Sequence, residues 1–269
     1  MSDNRLTQHD INRKYFSLSR WQRDDMKLFG RCGIWAVPLL ALHRGIHPSS
    51  ANRRLRQLID AEALTVIPGH PWSWGGRTPD VYFLTETGVQ LMARLVDDAP
   101  HVVVPDVTDE AAVTRHRVAL ELAIRTGVVA RARFLAQTTF TLRNGERVTI
   151  QPALTFYDEA GRREVFVEVA LVDEFSHSVS QFEVYARICS DCVARGQNSP
   201  MIIVIYPTRD VEAALQREHV AAAAQAIRSY PDARSAFASV NLDTLREHQV
   251  ASDLMQCLTY WFDGEVHHG

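Results

Sequence analysis

The sequence predicts an α+β fold in two domains, and three observations predict it. The first third reads as helices followed by two short strands, the remainder as an α-β-β-β-α-β run with additions, and charge divides between the two. Residues 1–95 hold 13 Lys+Arg against 8 Asp+Glu, a net of +5, within a chain whose overall charge is −3. The remainder is therefore acidic by a net of −8. A basic module joined to an acidic one implies different partners. At 46% hydrophobic and 23% charged residues, the chain has the composition of a globular protein and not of a disordered or fibrous one. No apolar run approaches the ~18 residues of a membrane span, and the start, MSDNRLTQHD, lacks the apolar core of a signal peptide. Four cysteines in 269 residues make no disulfide framework, so a reducing cytoplasm is expected.

In the N-terminal domain, residues 1–95, Ser17 or Ser19 can cap a first helix to about Arg31, with Trp21, Met26, Leu28 and Phe29 as its apolar face. Ile34 to His43 reads as a second helix, with Pro38 near its first turn and Gly45 ending it. His47-Pro48-Ser49-Ser50 reads as a turn and cap before a third helix, about Ser50 to Ala61. There Leu55, Leu58 and Ile59 fall at core-facing spacing. Asn52, Arg53, Arg56 and Gln57 fall mainly on the opposite side, with Arg54 at the flank. Strands follow at Leu64–Ile67 and Val81–Thr85. Between them runs a Gly/Pro-rich excursion, 68–80, holding Trp72, Trp74 and Arg77, and a helix from Thr85 to Leu95 closes the domain. Three helices, the third capped and arginine-rich, then a β-hairpin, describe a winged helix-turn-helix, whose later helix enters the major groove of DNA. Asn52, Arg53, Arg56 and Gln57 are expected to contact bases and phosphates, and Ser49, Ser50, Arg54 and Arg77 to contact phosphate. Trp72 and Trp74 are expected to pack the wing or meet a partner before stacking on bases.

Residues 96–108 read as an extended linker. In the domain from 109 to 269, Thr108 or Asp109 caps a helix to Thr126. Strands follow at about Phe134–Leu142, Arg147–Phe156 and Glu164–Leu171, the first two joined by the hairpin signal Asn144-Gly145. Ser178–Ala194 reads as a helix, and Pro200–Tyr206 as a continuous apolar run fit for a central strand. Val211–Ser229 is an Ala-rich helix whose Ala221–Ala224 run suits close packing, internal or across a dimer. Val240–Leu242 is expected as a short edge strand. A last helix is expected from Asp243 to Phe262, with Val250, Leu254, Cys257, Leu258 and Trp261 on one stripe. His267-His268 is expected to fray.

The motif Tyr82-Phe83-Leu84-Thr85-Glu86-Thr87-Gly88, together with Gln151-Pro152-Ala153 and Phe166-Val167-Glu168-Val169-Ala170, resembles the replication-relaxation family over nearly the whole length. Those are bacterial, plasmid- and mobile-element-associated proteins. The resemblance implies a winged helix followed by a restriction-endonuclease-like domain of the PD-(D/E)xK type. The catalytic pattern is missing here. Pro152-Ala153 stands where Pro-Asp belongs, and Glu168-Val169-Ala170 ends without a lysine. The only lysines, Lys14 and Lys27, lie in the first domain. Pro79-Asp80 and Pro105-Asp106 fall in the wing and the linker. A metal nuclease needs carboxylates for Mg²⁺ and a cation for the transition state. What is left for such a site is Glu168 with Glu183 or Asp173, and Arg187 in place of lysine; Glu168 is the one remnant candidate.

Cys189-Ser-Asp-Cys192 is a CxxC, but it lies in a predicted helix with no second pair to complete a zinc site, so two helix-face residues are expected rather than a redox or metal centre. The leading expectation is a non-enzymatic DNA-binding protein without cofactor or metal. It would be a homodimer on double-stranded DNA, serving transcription regulation or plasmid and mobile-element replication control, with a second domain for dimerisation or partner binding. A diverged endonuclease and a protein-interaction module are the alternatives. The sequence specifies neither the DNA site nor any effector.

Overall fold

The computed structural model describes residues 7–69, 79–95, 103, 106–134, 137–158, 161, 163–172, 175–247, 254–262 and 265–268. The chain is mixed α and β and divides into two compact units, Met1–Asp109 and Glu110–Gly269.

Unit 1 opens with a helix the sequence reading passed over, α1 (Gln8–Ser17). Its signal was present: Thr7 and Asp10 form a capping box, each side chain serving the other's backbone. α2 (Arg20–Cys32) starts at Ser19, whose side chain accepts from the Gln22 amide while Gln22 reaches back. Ile34–Ala36 is not helical but forms β1, and α3 (Val37–Arg44) begins only after it. Pro38 suits the first turn of a helix, and pairing of Ile34, Trp35 and Ala36 with Phe83, Tyr82 and Val81 holds the residues before that turn extended. α4 (Pro48–Asp60), β2 (Leu64–Ile67), β3 (Val81–Leu84) and α5 (Glu86–Leu95) complete the unit. The three strands form one antiparallel sheet in the order β1-β3-β2, with Trp35 opposite Tyr82 and Val66 opposite Tyr82 on its other side. Met26, Phe29, Ile34, Trp35, Leu40, Leu55, Leu58 and Leu91 are buried at its centre. Two glycines permit close approaches: a Cβ at Gly30 would sit 2.4 Å from Met92 Cε, and one at Gly88 2.1 Å from the Ala63 carbonyl oxygen.

Unit 2 runs α6 (Glu110–Arg125), β4 (Arg133–Phe134), β5 (Thr138–Thr141), β6 (Arg147–Ile150), β7 (Leu154–Tyr157), β8 (Glu164–Val169), α7 (Phe175–Ala194), β9 (Met201–Tyr206), α8 (Arg209–Ser229), β10 (Phe237–Asn241), α9 (Leu242–Glu247), β11 (Thr259–Phe262) and β12 (Glu265–His268). Seven strands form one sheet, in the order β12-β11-β10-β9-β8-β7-β4. β8, β9 and β10 are parallel, as two successive helical crossovers require, and the other pairings are antiparallel. The strand expected over Arg147–Phe156 is in fact two. Pro152 cannot donate to a ladder, and the chain passes there from β6, which pairs with β5 in its own hairpin, to β7 in the large sheet. Between α6 and α7 the chain forms five strands, of which β4, β7 and β8 join the large sheet and β5–β6 form a separate hairpin.

The expected terminal helix over Asp243–Phe262 is overturned. α9 ends at Glu247, and Thr259–Phe262 is a strand in a hairpin with β12, which also places His267-His268 in a paired strand. The sequence between the paired Phe262 and Glu265 reads Asp-Gly, a hairpin signal the helical stripe obscured. Trp261 points into the core and donates Nε1–H to Ser239 Oγ at 3.2 Å. β10 is likewise interior and not an edge, covered on both sides by β9 and β11. Ala223 and Ala226 of α8 are buried in one core with Phe182, Tyr185 and Cys189 of α7, and Ala224 is buried as well.

Candidate nucleic-acid interface

The predicted reading helix starts two residues earlier than expected. His47 is the N-cap of α4 and Pro48 occupies the first turn, so Ser49 and Ser50 lie inside the helix. The His47 Nδ1 accepts from the Ser49 amide at 3.2 Å and lies 2.8 Å from the Ser49 hydroxyl. Ala51, Leu55 and Leu58 turn fully inward, which fixes the helix's rotation: Ser49, Arg53, Arg56 and Gln57 are exposed, and Ser50 and Asn52 are half-buried at the margins. Among the described residues no ion pair engages Arg53 or Arg56. Arg56 is close enough to β3 to be felt there: burial first and Asp80 second push the Tyr82 phenol up, and Arg56 opposes them.

Arg54 departs from the expected phosphate contact. Its guanidinium donates to Asp25 Oδ2 at 3.2 Å and lies 5.1 Å from the Trp21 ring centre. Asp25, with no exposed surface, also accepts from Arg44 Nε at 2.9 Å and pairs with Arg44 Nη2 at 2.6 Å. One buried carboxylate of α2 thus ties α3 and α4 together. Sequence reasoning missed Asp25 because only the fold brings it beside arginines 19 and 29 residues away.

The far end of α4 is held as firmly. Glu62 takes a left-handed conformation (φ 59°), and its carbonyl accepts from the Thr85 hydroxyl at 2.6 Å. The Thr85 amide reaches the Ala63 carbonyl at 3.1 Å, and the Thr85 hydroxyl accepts from the Gly88 amide at 3.0 Å. Lys14 of α1 pairs with the Glu62 carboxylate. The Thr85-Glu-Thr-Gly88 segment is thus the clasp that seats α5 on the turn after α4, and Gly88 is required because a methyl group would meet backbone. Arg77, Trp72 and Trp74 lie outside the described residues, as does most of the 96–108 segment.

In unit 2, Glu168 of β8 is half-buried and accepts a hydrogen bond from the Tyr185 hydroxyl. Burial, and then the Glu168 charge, push the Tyr185 phenol well above its ordinary value. Glu183 is exposed, Arg187 is tied to Glu146, and Asp173 lies outside the described residues. Among the described residues no group of three His, Cys, Asp or Glu side chains is placed to hold a metal ion. Ala153 is buried, its amide donating to the Val167 carbonyl at 3.0 Å. The CxxC lies in α7, where burial pushes the Cys189 thiol up to about 12 and raises that of half-buried Cys192, the opposite of what a reactive thiolate needs.

No protein-family model, no curated protein and no solved structure matches the chain. No helix among the described residues is long and apolar enough to cross a membrane.

Proposed function

We propose that the chain is a double-stranded-DNA-binding protein of the replication-relaxation type. It reads the duplex with a winged helix and acts in the cytoplasm as a transcriptional regulator or a plasmid or mobile-element replication-control protein. The observation that carries this is the outward face of α4: Ser49, Arg53, Arg56 and Gln57 exposed together, two of them cations with no ion pair among the described residues. An α-helix fits the major groove, and guanidinium and amide side chains are the ones that read purine edges there. β2 and β3, with the Arg77 segment between them, supply the wing, and Ser50 and Asn52 border the reading face. α6-β4-β7-β8-α7-β9 supports the restriction-endonuclease-like reading of unit 2. The missing Pro-Asp carboxylate and the missing lysine of the (D/E)xK pattern favour a non-catalytic role in dimerisation or partner binding.

The test is genomic-fragment selection by the purified protein at ~150 mM salt, followed by salt titration on the recovered site. A protein making about four phosphate contacts gives a log–log salt slope of roughly −3 to −4. Binding without salt dependence, or no enrichment of any sequence, overturns the proposal.

A further inference from the structure

β5 and β6 pair only with each other and take no part in the seven-stranded sheet of unit 2. A lone two-stranded hairpin is marginal in water, and this one is held through its inner face. Val148 and Ile150 of β6, with Leu142 just past β5, are buried in the core that includes Phe166 and Phe182. Phe140 stands edge-on to Phe166, with ring centres 6.0 Å apart. The register pairs Thr139 with Thr149 and Thr141 with Arg147, so these four share the opposite face, and all four are exposed. Exposed Gln137 and Gln151 flank the open end of the hairpin. The outward face carries no apolar side chain and no carboxylate, within a part of the chain, residues 96–269, whose net charge is −8. The one acidic residue between Gln137 and Gln151 is Glu146, which lies at the turn and pairs with Arg187. At the same end Arg143 and Arg195 share the single carboxylate of Asp191, which leaves positive charge in surplus. Among the described residues no ion pair or side-chain hydrogen bond engages Arg147. The Thr139 and Thr149 hydroxyls lie 3.0 Å apart, so one hydrogen bridges them and the other remains to donate.

We propose that the outward face of the β5–β6 ribbon is a second contact surface for double-stranded DNA, with Arg147 and the threonine pair donating to phosphate oxygens. The chemistry of the face selects the partner. A protein partner finds no aromatic or apolar anchor there, and a small anion finds no enclosing cleft. A duplex presents a row of phosphates, which a flat face of guanidinium and hydroxyl donors can follow. The dimensions agree: two strands about 4.8 Å apart, with their side chains, suit a major groove about 12 Å wide, which admits a two-stranded ribbon. The proposal rests on the DNA-binding reading for its partner, but the surface belongs to unit 2 and shares no residue with α4.

The experiment is fluorescence anisotropy of the full chain on a labelled mixed-sequence duplex of roughly 40 base pairs, titrated with salt. Arg147→Ala is expected to weaken binding about fivefold or more at ~0.1 M salt and to make the log–log slope shallower by about one. Arg147→Lys, which keeps the charge, is expected to hold the parent slope. Arg217→Ala removes another exposed cation, from α8, and is expected to change neither quantity. An unchanged slope in Arg147→Ala overturns the proposal. So does the same loss in Arg217→Ala, because the field of the whole unit would then be responsible, and so does a loss that Arg147→Lys fails to restore, which assigns it to altered folding. Arg53→Ala with Arg56→Ala, measured in parallel, separates the two surfaces. Loss there with none at Arg147 removes the ribbon alone, and the reverse removes α4 as the reading helix while the ribbon stands. A parent protein with no affinity for the duplex removes both.

Discussion

The outward face of α4 and the interior of unit 2 both carry arginines, and they use them in opposite ways. In unit 2 several guanidiniums close on the protein itself, although Arg147, Arg217 and Arg228 are exposed. Arg163 donates to the carbonyls of Ser199, Pro200 and Ser235 at 2.8, 3.2 and 2.9 Å, and Arg246 to Glu121 and Asp243. Arg195 pairs with Asp191, and Arg187 with Glu146. Except for Arg195–Asp191 and Arg246–Asp243, which are four and three residues apart, these are pins between segments far apart in the chain. On α4, Arg53 and Arg56 are exposed instead, and only Arg54 is pinned. The number of arginines therefore says little about DNA binding; what matters is whether their hydrogen-bond donors are already spent. An arginine already committed to an internal partner gives up that bond on meeting a phosphate, whereas an exposed one replaces only water and counterions.

The sharpest break of this comparison is Arg53→Ala with Arg56→Ala. If both contact bases, affinity for the selected site falls by about 2–5 kcal/mol, while the unfolding midpoint stays within roughly 0.5 kcal/mol of the parent, as for exposed positions elsewhere. Fluorescence anisotropy at fixed salt measures the first and urea unfolding the second. Unchanged affinity removes α4 as the reading helix.

The interior of unit 2 is tested by pH. His219 is fully buried beside Phe182, its Nδ1 3.0 Å from the Tyr206 hydroxyl, and burial lowers its pKa to about 4. An unfolded histidine titrates near 6.5. Between those values the unfolded chain binds the proton that the folded one refuses, so this group's contribution is fully present above pH 6.5 and is lost as pH falls toward 4. The loss amounts to about 3 kcal/mol over that window. His219→Gln, which keeps a hydrogen-bonding partner for Tyr206, is expected to flatten the pH dependence of unit 2 unfolding. A profile identical to the parent's would mean that the interior admits the charge.

These contrasts show what sequence can disclose. The rotation of α4 was legible because Leu55 and Leu58 sit at helical spacing and nothing distant competes with them. The clamp on Arg54 was not, because Asp25 reads locally as one more polar residue of a helix. Local pattern also misread Thr259–Phe262: its spacing from Leu254 and Cys257 imitates a helical stripe, whereas β-branched and aromatic residues before Asp-Gly fit the hairpin that pairs with β10. Glu168 was found as a motif remnant, but its hydrogen bond from the Tyr185 hydroxyl was not legible, because only the fold brings α7 over β8.

Gly88→Ala sharpens the role of the clasp beneath α4. The added methyl would lie 2.1 Å from the Ala63 carbonyl oxygen, and backbone cannot step aside as a flexible side chain can. Unit 1 is expected to lose about 2 kcal/mol of stability, read from its own unfolding transition, with the unfolding of unit 2 unchanged.

The smallest effect separates the two classes of arginine on a single helix. Arg54→Ala removes one of two cations from Asp25 and the contact over Trp21. Arg44 remains on the carboxylate, so the cost is expected to be about 1–2 kcal/mol of unit 1 stability rather than the larger penalty of stranding a buried charge. Its effect on the salt slope of DNA binding is expected to be nil, because its donors face inward. Arg53→Ala is expected to do the reverse: no change in stability beyond about 0.5 kcal/mol, and a slope shallower by about one if the side chain meets a phosphate. Should Arg54→Ala flatten the slope as Arg53→Ala does, the Asp25 clamp opens when DNA arrives, and the division between pinned and open arginines describes only the unbound protein.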